Sequence, residues 1–173
     1  MTYELGAGTV VVTAEMERLM RAERFDVHDL VAQKPGVQKA VDPKCAKRFM
    51  KPLEHIDFEY QVLRASLMAT TKRGLRQFTH YDMSPQMARE KGVYVYIQNL
   101  GETPFDIYMR QDDVDVPISV PPGMAITFPA DTPHAGSGEI HYYRLYVLFA
   151  ALRLTSDEVH EIILDSDSLI AAP

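Results

Sequence analysis

The stretch that decides the fold is VYVYIQNLGETPFDIYMRQDDVDVPISVPPGMAITF, residues 93–128. It holds β-branched or aromatic runs at 93–100, 105–110, 114–120 and 124–128, separated by Gly, Pro, Asn and Asp. Short apolar runs at such regular spacing predict the antiparallel strands of a sandwich or barrel. Within the stretch, Asn99-Leu100-Gly101-Glu102 reads as a hairpin loop and Pro121-Pro122-Gly123 as a tight turn feeding a strand. Working outward, residues 58–70 and 142–150 have the same texture and predict flanking strands.

Beyond these strands the periodicity changes. Met16, Leu19 and Met20 recur at helical spacing among Glu and Arg, which predicts a short amphipathic helix over residues 13–25. Residues 27–50, punctuated by Pro35-Gly36 and Pro43, read as short helical turns. Thr155 and Glu158 form a capping box ahead of Val159, Ile162 and Ile163, so a short C-terminal helix is expected. The expectation is a single mainly β domain: helical cover over residues 1–55, a β core over 56–150, and a C-terminal helix and tail over 151–173. A chain of 173 residues, 46% hydrophobic, suffices for one substantial core and falls short of two.

Charge and cysteine content exclude several function classes. A formal charge of −6 gives no global attraction to nucleic-acid phosphates or anionic membranes. The local exception is the basic stretch 34–51, which reads as a solvated face able to meet an acidic partner. Cys45 is the single cysteine, so neither an intrachain disulfide nor a cysteine-built zinc or Fe–S site can form. No apolar run approaches the length needed to span a bilayer, and residues 1–12 lack a signal-type pattern. A soluble, cytoplasmic protein with no membrane partner is therefore expected. Gly-rich phosphate loops are absent from the sequence, and neither Ser66 nor Ser84 sits in a nucleophile elbow.

Two strands carry polar residues in patterns that suggest a cavity. In residues 93–98 one face is aliphatic and the other carries Tyr94, Tyr96 and Gln98, as expected when the tyrosine face lines a polar pocket. In residues 142–146, Arg144 shares a face with Tyr142 and Tyr146, and a guanidinium on so apolar a strand calls for an anion. His80 and Asp82 stand at i and i+2, so on an extended segment both project to one side as neighbouring ligands. His134, in Pro129-Ala130-Asp131-Thr132-Pro133-His134, is the best distant third ligand. Two His and one carboxylate on one face of an octahedral metal leave the opposite face open, the arrangement of non-haem Fe(II) oxygenases. A second H-x-D pair, His55 and Asp57, lies at the entry to the first long strand rather than at the end of one. His28, His141 and His160 read as structural or helical-surface histidines.

The run Arg76-Gln77-Phe78-Thr79-His80-Tyr81-Asp82, the Pro122-Gly123 turn, Phe128, His134-Ala135-Gly136 and Arg144 together resemble the H-x-D…H…R pattern of Fe(II)- and 2-oxoglutarate-dependent dioxygenases. The resemblance covers residues 77–148 and implies a double-stranded β-helix, the cupin-type jelly-roll barrel. It also implies Fe(II) on His80, Asp82 and His134 and 2-oxoglutarate as cosubstrate, with Arg144 and Tyr146 anchoring its far carboxylate. O₂ and a small-molecule or peptide substrate would be the other partners, and homodimerisation suits a small barrel. Tyr94, Tyr96 and Gln98 would line the pocket.

A second resemblance stands beside it. Residues 123–134 are similar to the second cupin motif, G-x5-P-x-G-x2-H, with Asp131 in the place of its second Gly. His80-x-Asp82 then takes the place of the first motif's H-x-H, and Gln86 stands nearest to its usual Glu. This alternative implies a cupin-type isomerase or a dioxygenase without a keto-acid cosubstrate, or a jelly-roll binding protein without catalysis. Both families share a barrel and a metal position.

The ligand assignment has a direct test by equilibrium metal binding. His80→Ala and His134→Ala should each abolish tight divalent-metal binding, and His55→Ala should leave it intact. Equal loss in His55→Ala would mean that the other H-x-D pair holds the metal.

Overall fold

The structure is a computed structural model that describes residues 2–5, 8–26, 36–70, 76–138, 142–151 and 153–170. His28, Lys34 and His141 lie outside the described residues. The chain begins with strands β1 (Thr2–Leu5) and β2 (Gly8–Val11), helix α1 (Ala14–Glu23), strand β3 (Gly36–Val41) and helix α2 (Pro43–Phe49). Strand β4 (Tyr60–Thr70), helix α3 (Pro85–Lys91) and strands β5 (Val93–Asn99), β6 (Phe105–Gln111), β7 (Val114–Val120), β8 (Ala125–Pro129) and β9 (His134–Gly136) follow. Strand β10 (Tyr142–Ala151) and helix α4 (Ser156–Ile170) complete it.

The mainly β expectation holds, as two antiparallel sheets. One has five strands in the order β3-β4-β10-β5-β8, the other three in the order β7-β6-β9, and β1 and β2 pair as a separate hairpin. Strand β10 is central, and both its faces are buried, which explains its unbroken apolar texture. Tyr143, Leu145, Val147 and Phe149 meet Met16 and Leu19 of α1 and Cys45 and Ala46 of α2 in one cluster. Tyr146, Leu148 and Ala150 point the other way, into a second cluster with Val95 and Ile97 of β5 and Phe105, Ile107 and Met109 of β6. That second cluster is the core between the two sheets.

Four expectations need correction. Residues 99–102 are not a hairpin loop, because β5 pairs with β8 and β10 while β6 pairs with β7 and β9. The chain crosses there between sheets, and Asn99, only 1% exposed, holds the corner. Its side-chain amide donates to the carbonyls of Thr103 (2.8 Å) and Val120 (2.9 Å), and its Oδ1 accepts from the Gly101 N–H (2.8 Å). The β6–β7 hairpin turns instead on Asp112 and Asp113, both with positive φ (47° and 64°), as a two-residue turn matched to strand twist requires.

The N-terminal region is not purely helical cover. Residues 36–41 form an edge strand on β4 before Asp42 caps α2 by accepting from the N–H groups of Lys44 and Cys45. Residues 93–98 are oriented opposite to expectation: Val93, Val95 and Ile97 face the core between the sheets, and Tyr94 and Tyr96 face α1 and α2. Finally, α3 lies in the middle of the β region. It opens on Pro85 and stops at Gly92, whose left-handed φ of +59° ends it. The capping box at Thr155 and Glu158 is present, and the α1 cap is Thr13, whose Oγ1 accepts from the Met16 N–H.

Asn99→Ala would remove the partner of the buried Val120 carbonyl and Gly101 N–H and of the more exposed Thr103 carbonyl. Loss of that many partners in a buried corner is expected to cost roughly 3 kcal/mol. Urea unfolding should show a lower midpoint with an unchanged slope.

Candidate metal centre

Residues 76–82 lie antiparallel to β9. The His80 N–H donates to the His134 carbonyl and the His134 N–H to that of His80, both at 2.9 Å. A reciprocal pair of this kind sets two residues directly opposite each other with side chains on the same side. The imidazoles accordingly lie with centroids 4.8 Å apart. Two residues further on, Asp82 returns to that side and reaches both rings, with Oδ1 3.7 Å from His80 Nε2 and Oδ2 3.4 Å from His134 Nε2. Among the described residues, these form the one group of three whose ligand atoms lie within 4.8 Å of one another.

Both rings are held in the form that ligates. Nδ1 of His80 lies 2.8 Å from the Phe78 carbonyl, and Nδ1 of His134 lies 3.0 Å from that of Thr132. A carbonyl can only accept, so each Nδ1 carries a proton and Nε2 is the nitrogen that each ring turns toward Asp82. Burial holds the His134 pKa below the usual imidazole value, against the opposing pull of the Asp82 charge. The neutral ring is the one that binds metal.

Asp82 supplies the test of fit. It is 6% exposed, and its Oδ2 has no hydrogen-bond partner. A buried carboxylate oxygen left this way is costly unless a cation meets it. Two imidazole nitrogens and a carboxylate oxygen form a donor set suited to Fe(II) or Zn(II), with bonds of about 2.0–2.2 Å. The residues present therefore fit a divalent metal.

The centre opens into a cavity of about 640 Å³ between the sheets. Arg144 and Tyr146, both on β10, line the same cavity as the triad. Arg144 Nε lies 3.4 Å from Met68 Sδ. Its guanidinium runs beside Gly136, where a Cβ would come within 3.8 Å of it and within 2.7 Å of Gln77 Oε1. Glycine there lets Gln77 reach the backbone, accepting from the Gly136 N–H at 2.8 Å. Tyr146 is buried, and its hydroxyl lies beside the Asp82 carboxylate without a well-formed hydrogen bond. Burial raises its pKa well above the ordinary phenol value, and the neighbouring Asp82 charge adds to the rise. Tyr146 therefore stands beside Asp82 of the triad as well as beside Arg144.

Tyr94, Tyr96 and Gln98 are not brought to this centre. Tyr96 donates to Gln98 Oε1 and accepts from the Lys51 N–H (2.8 Å), while Gln98 Nε2 donates to Glu15 (2.8 Å) on α1. The polar face of β5 is matched to polar atoms of the helical cover, which the sequence pattern alone does not distinguish from a cavity wall. Tyr94 and Tyr96 line a separate cavity of about 690 Å³, together with Lys51 and His55. His55 and Asp57 are both exposed, as is His160 on α4.

Sequence reading missed the residues that hold the ligand segment in place. On the outer face of the three-stranded sheet, Asp115 of β7 accepts from Arg110 Nε (2.8 Å) and Thr79 Oγ1 (3.1 Å) and pairs with Arg76. Arg76 also lies over the Tyr108 ring, 3.9 Å from its centroid. Thr79 turns to Asp115 while its neighbour His80 turns to the cavity, so the outer clamp holds the segment that carries His80 and Asp82. The available signal was Arg76, Arg110 and Asp115 on outward positions of adjacent strands, but it emerges only once the pairing is known.

No family model matches the chain, and no curated protein matches it. Among solved structures the chain is similar to KdgF from Halomonas sp., at 14% identity over 71% of this chain and 86% of that one, with a TM-score of 0.41. It is similar to a Cupin 2 conserved barrel domain protein from Salinispora arenicola, at 10% identity over 81% and 92%, TM-score 0.40. It is also similar to the Cupin_2 domain of an XRE family transcriptional regulator from Enterobacter cloacae, at 15% identity over 69% and 100%, TM-score 0.37. Likeness of this degree carries no inference about chemistry.

The clamp yields a pH-dependent prediction. The bond from Arg110, with those from Thr79 and Arg76, lowers the Asp115 pKa from 3.8 to about 2. A depressed carboxylate stabilises the fold fully above its unfolded pKa and loses that contribution as pH falls through the folded value. Asp115→Asn should therefore remove part of the stability that the wild type loses between about pH 4 and pH 2. Thermal melts across that window should show a shallower decline in the variant. At neutral pH the loosened segment should weaken Zn(II) binding about tenfold.

Proposed function

We propose that this chain is a mononuclear metalloenzyme of the cupin-type double-stranded β-helix class, and specifically an Fe(II)- and 2-oxoglutarate-dependent oxygenase. The observation that carries the reading is the coexistence, on one cavity between the sheets, of the His80, Asp82 and His134 donor set with Arg144. Bound iron with its keto-acid cosubstrate supplies one chemistry: a substrate C–H, O₂ and 2-oxoglutarate become C–OH, succinate and CO₂. The chain's residues do the rest. His80, Asp82 and His134 hold the metal from one side and leave the cavity side for ligands. Arg144 receives the far carboxylate of the keto acid through its planar fork.

Tyr146, on the same strand and cavity, would join Arg144 at the far carboxylate of the keto acid. Its hydroxyl lies beside Asp82 on the same cavity, where it would also help to fix the orientation of the Asp82 carboxylate. Met68, Ile97 and Ile107 line the cavity with apolar surface and exclude water from the reacting groups.

The test is anaerobic titration of the Fe(II)-loaded protein with 2-oxoglutarate, read by the weak charge-transfer band that keto-acid chelation gives. Arg144→Ala should leave metal affinity almost unchanged and weaken 2-oxoglutarate binding by roughly 2–5 kcal/mol. Arg144→Lys should recover only part, because a point charge cannot reproduce the fork. A metal-loaded wild type with no band and no 2-oxoglutarate binding would refute the oxygenase reading and favour a cupin-type enzyme without a keto acid.

A further inference from the structure

The mouth of the metal cavity is apolar and exposed. Phe78 is 95% exposed, Tyr81 40% and Leu169 39%, and all three line this cavity. Among the described residues they are half of the exposed large hydrophobic side chains, gathered at one opening from two separate elements. Phe78 and Tyr81 flank His80 on the ligand segment, and Leu169 projects from α4. The charged residues lining the cavity, Asp82 and Arg144, belong to the centre rather than to this rim. Scattered exposed apolar residues need no explanation, but three converging on a reactive opening mark a binding surface.

We infer that the substrate of this centre is a small molecule whose reacting part is carried on a hydrocarbon group, held at the mouth by Phe78, Tyr81 and Leu169. The inference rests on the metal-site reading and adds the substrate class to it. A cavity of about 640 Å³ has room for a cosubstrate-sized anion at the base and an aliphatic or aromatic group above it. Met68, Ile97 and Ile107 continue the apolar lining inward, so a hydrocarbon group finds apolar surface from the rim toward the centre. Polar groups at this opening are few, the Tyr81 hydroxyl, Gln38 and Gln77 among them, so a charged side chain or sugar presented here would lose hydration with little to replace it.

The experiment uses straight-chain primary alcohols from butanol to decanol, titrated calorimetrically into the Zn(II)-loaded protein with 2-oxoglutarate present. Affinity should rise about threefold to fourfold per added methylene, the equivalent of about 0.8 kcal/mol per buried CH₂. The heat-capacity change of binding should be negative. Phe78→Ser and Leu169→Ser alter exposed side chains and should flatten this chain-length dependence, with Zn(II) affinity measured in parallel to check that the triad is intact. An affinity independent of chain length, or an unchanged slope in both variants, would overturn the inference. Self-association of the wild type that Phe78→Ser abolishes would overturn it too, assigning the rim to a second copy of the chain. Failure of the metal-site reading is separable, because it would appear as loss of Zn(II) or 2-oxoglutarate binding whatever the alcohols do.

Discussion

The reciprocal backbone pair between His80 and His134 is the constraint on which the centre depends. Two hydrogen bonds of 2.9 Å join a segment outside the named strands to the short strand β9, and they put both imidazoles on one side of the chain. Two residues on from His80, at a bend in the chain, Asp82 comes to the same side and reaches both rings. Each ring then finds the carbonyl two residues before it, and the tautomer follows from local chain geometry rather than from a distant partner. The ligand set is thus a product of backbone pairing, with side chains following.

A backbone pair this short needs support. It comes from the opposite face, where one carboxylate, Asp115, gathers Arg76, Thr79 and Arg110. Exposed ion pairs contribute little singly, but several donors meeting one acceptor across three chain segments fix a register that a lone bridge would leave free to slip. Residues 76–82 thus present His80 and Asp82 to the cavity while Arg76 and Thr79 tie the segment to Asp115. Gly136 belongs to the same arrangement, since any side chain there would displace Gln77 from the backbone it caps.

The strands of the β core were legible because their composition reports burial directly. Phe58 to Thr70 reads as a strand and β4 runs from Tyr60 to Thr70; the run at 142–150 becomes β10, ending at Ala151. The triad was legible because i and i+2 spacing in an extended segment carries geometry in the sequence itself. What was not legible was which neighbour covers each face. Strand β5 shows the limit: Tyr94, Tyr96 and Gln98 alternate with Val93, Val95 and Ile97 whether the polar side meets a cavity or a helix bearing Glu15. The crossover at Asn99 failed for a related reason, since Asn and Gly favour a tight turn equally well when the following strand joins the other sheet. Edge strand β3 was hidden by its own exposure, with Gln38 and Ala40 leaving no apolar alternation to detect.

The same division between backbone and cover explains where the chemistry sits. The core between the sheets is apolar through Val95, Ile97, Ile107 and Leu148, and apolar packing alone gives no reason to bury Asp82 or the Tyr146 hydroxyl without partners. Each such group costs stability, typically about 1–3 kcal/mol for an unsatisfied polar atom, and more when it is charged. Their neighbours on β10 and β6 are fully buried hydrophobic residues, so the fold could have closed over apolar side chains there at lower cost. A buried carboxylate and phenol side by side, with two imidazoles facing them and no well-formed hydrogen bond between them, are better explained by what could bind there than by what holds the protein together. Burial deprives Asp82 of water, and that loss is what would make a cation at this position bind tightly.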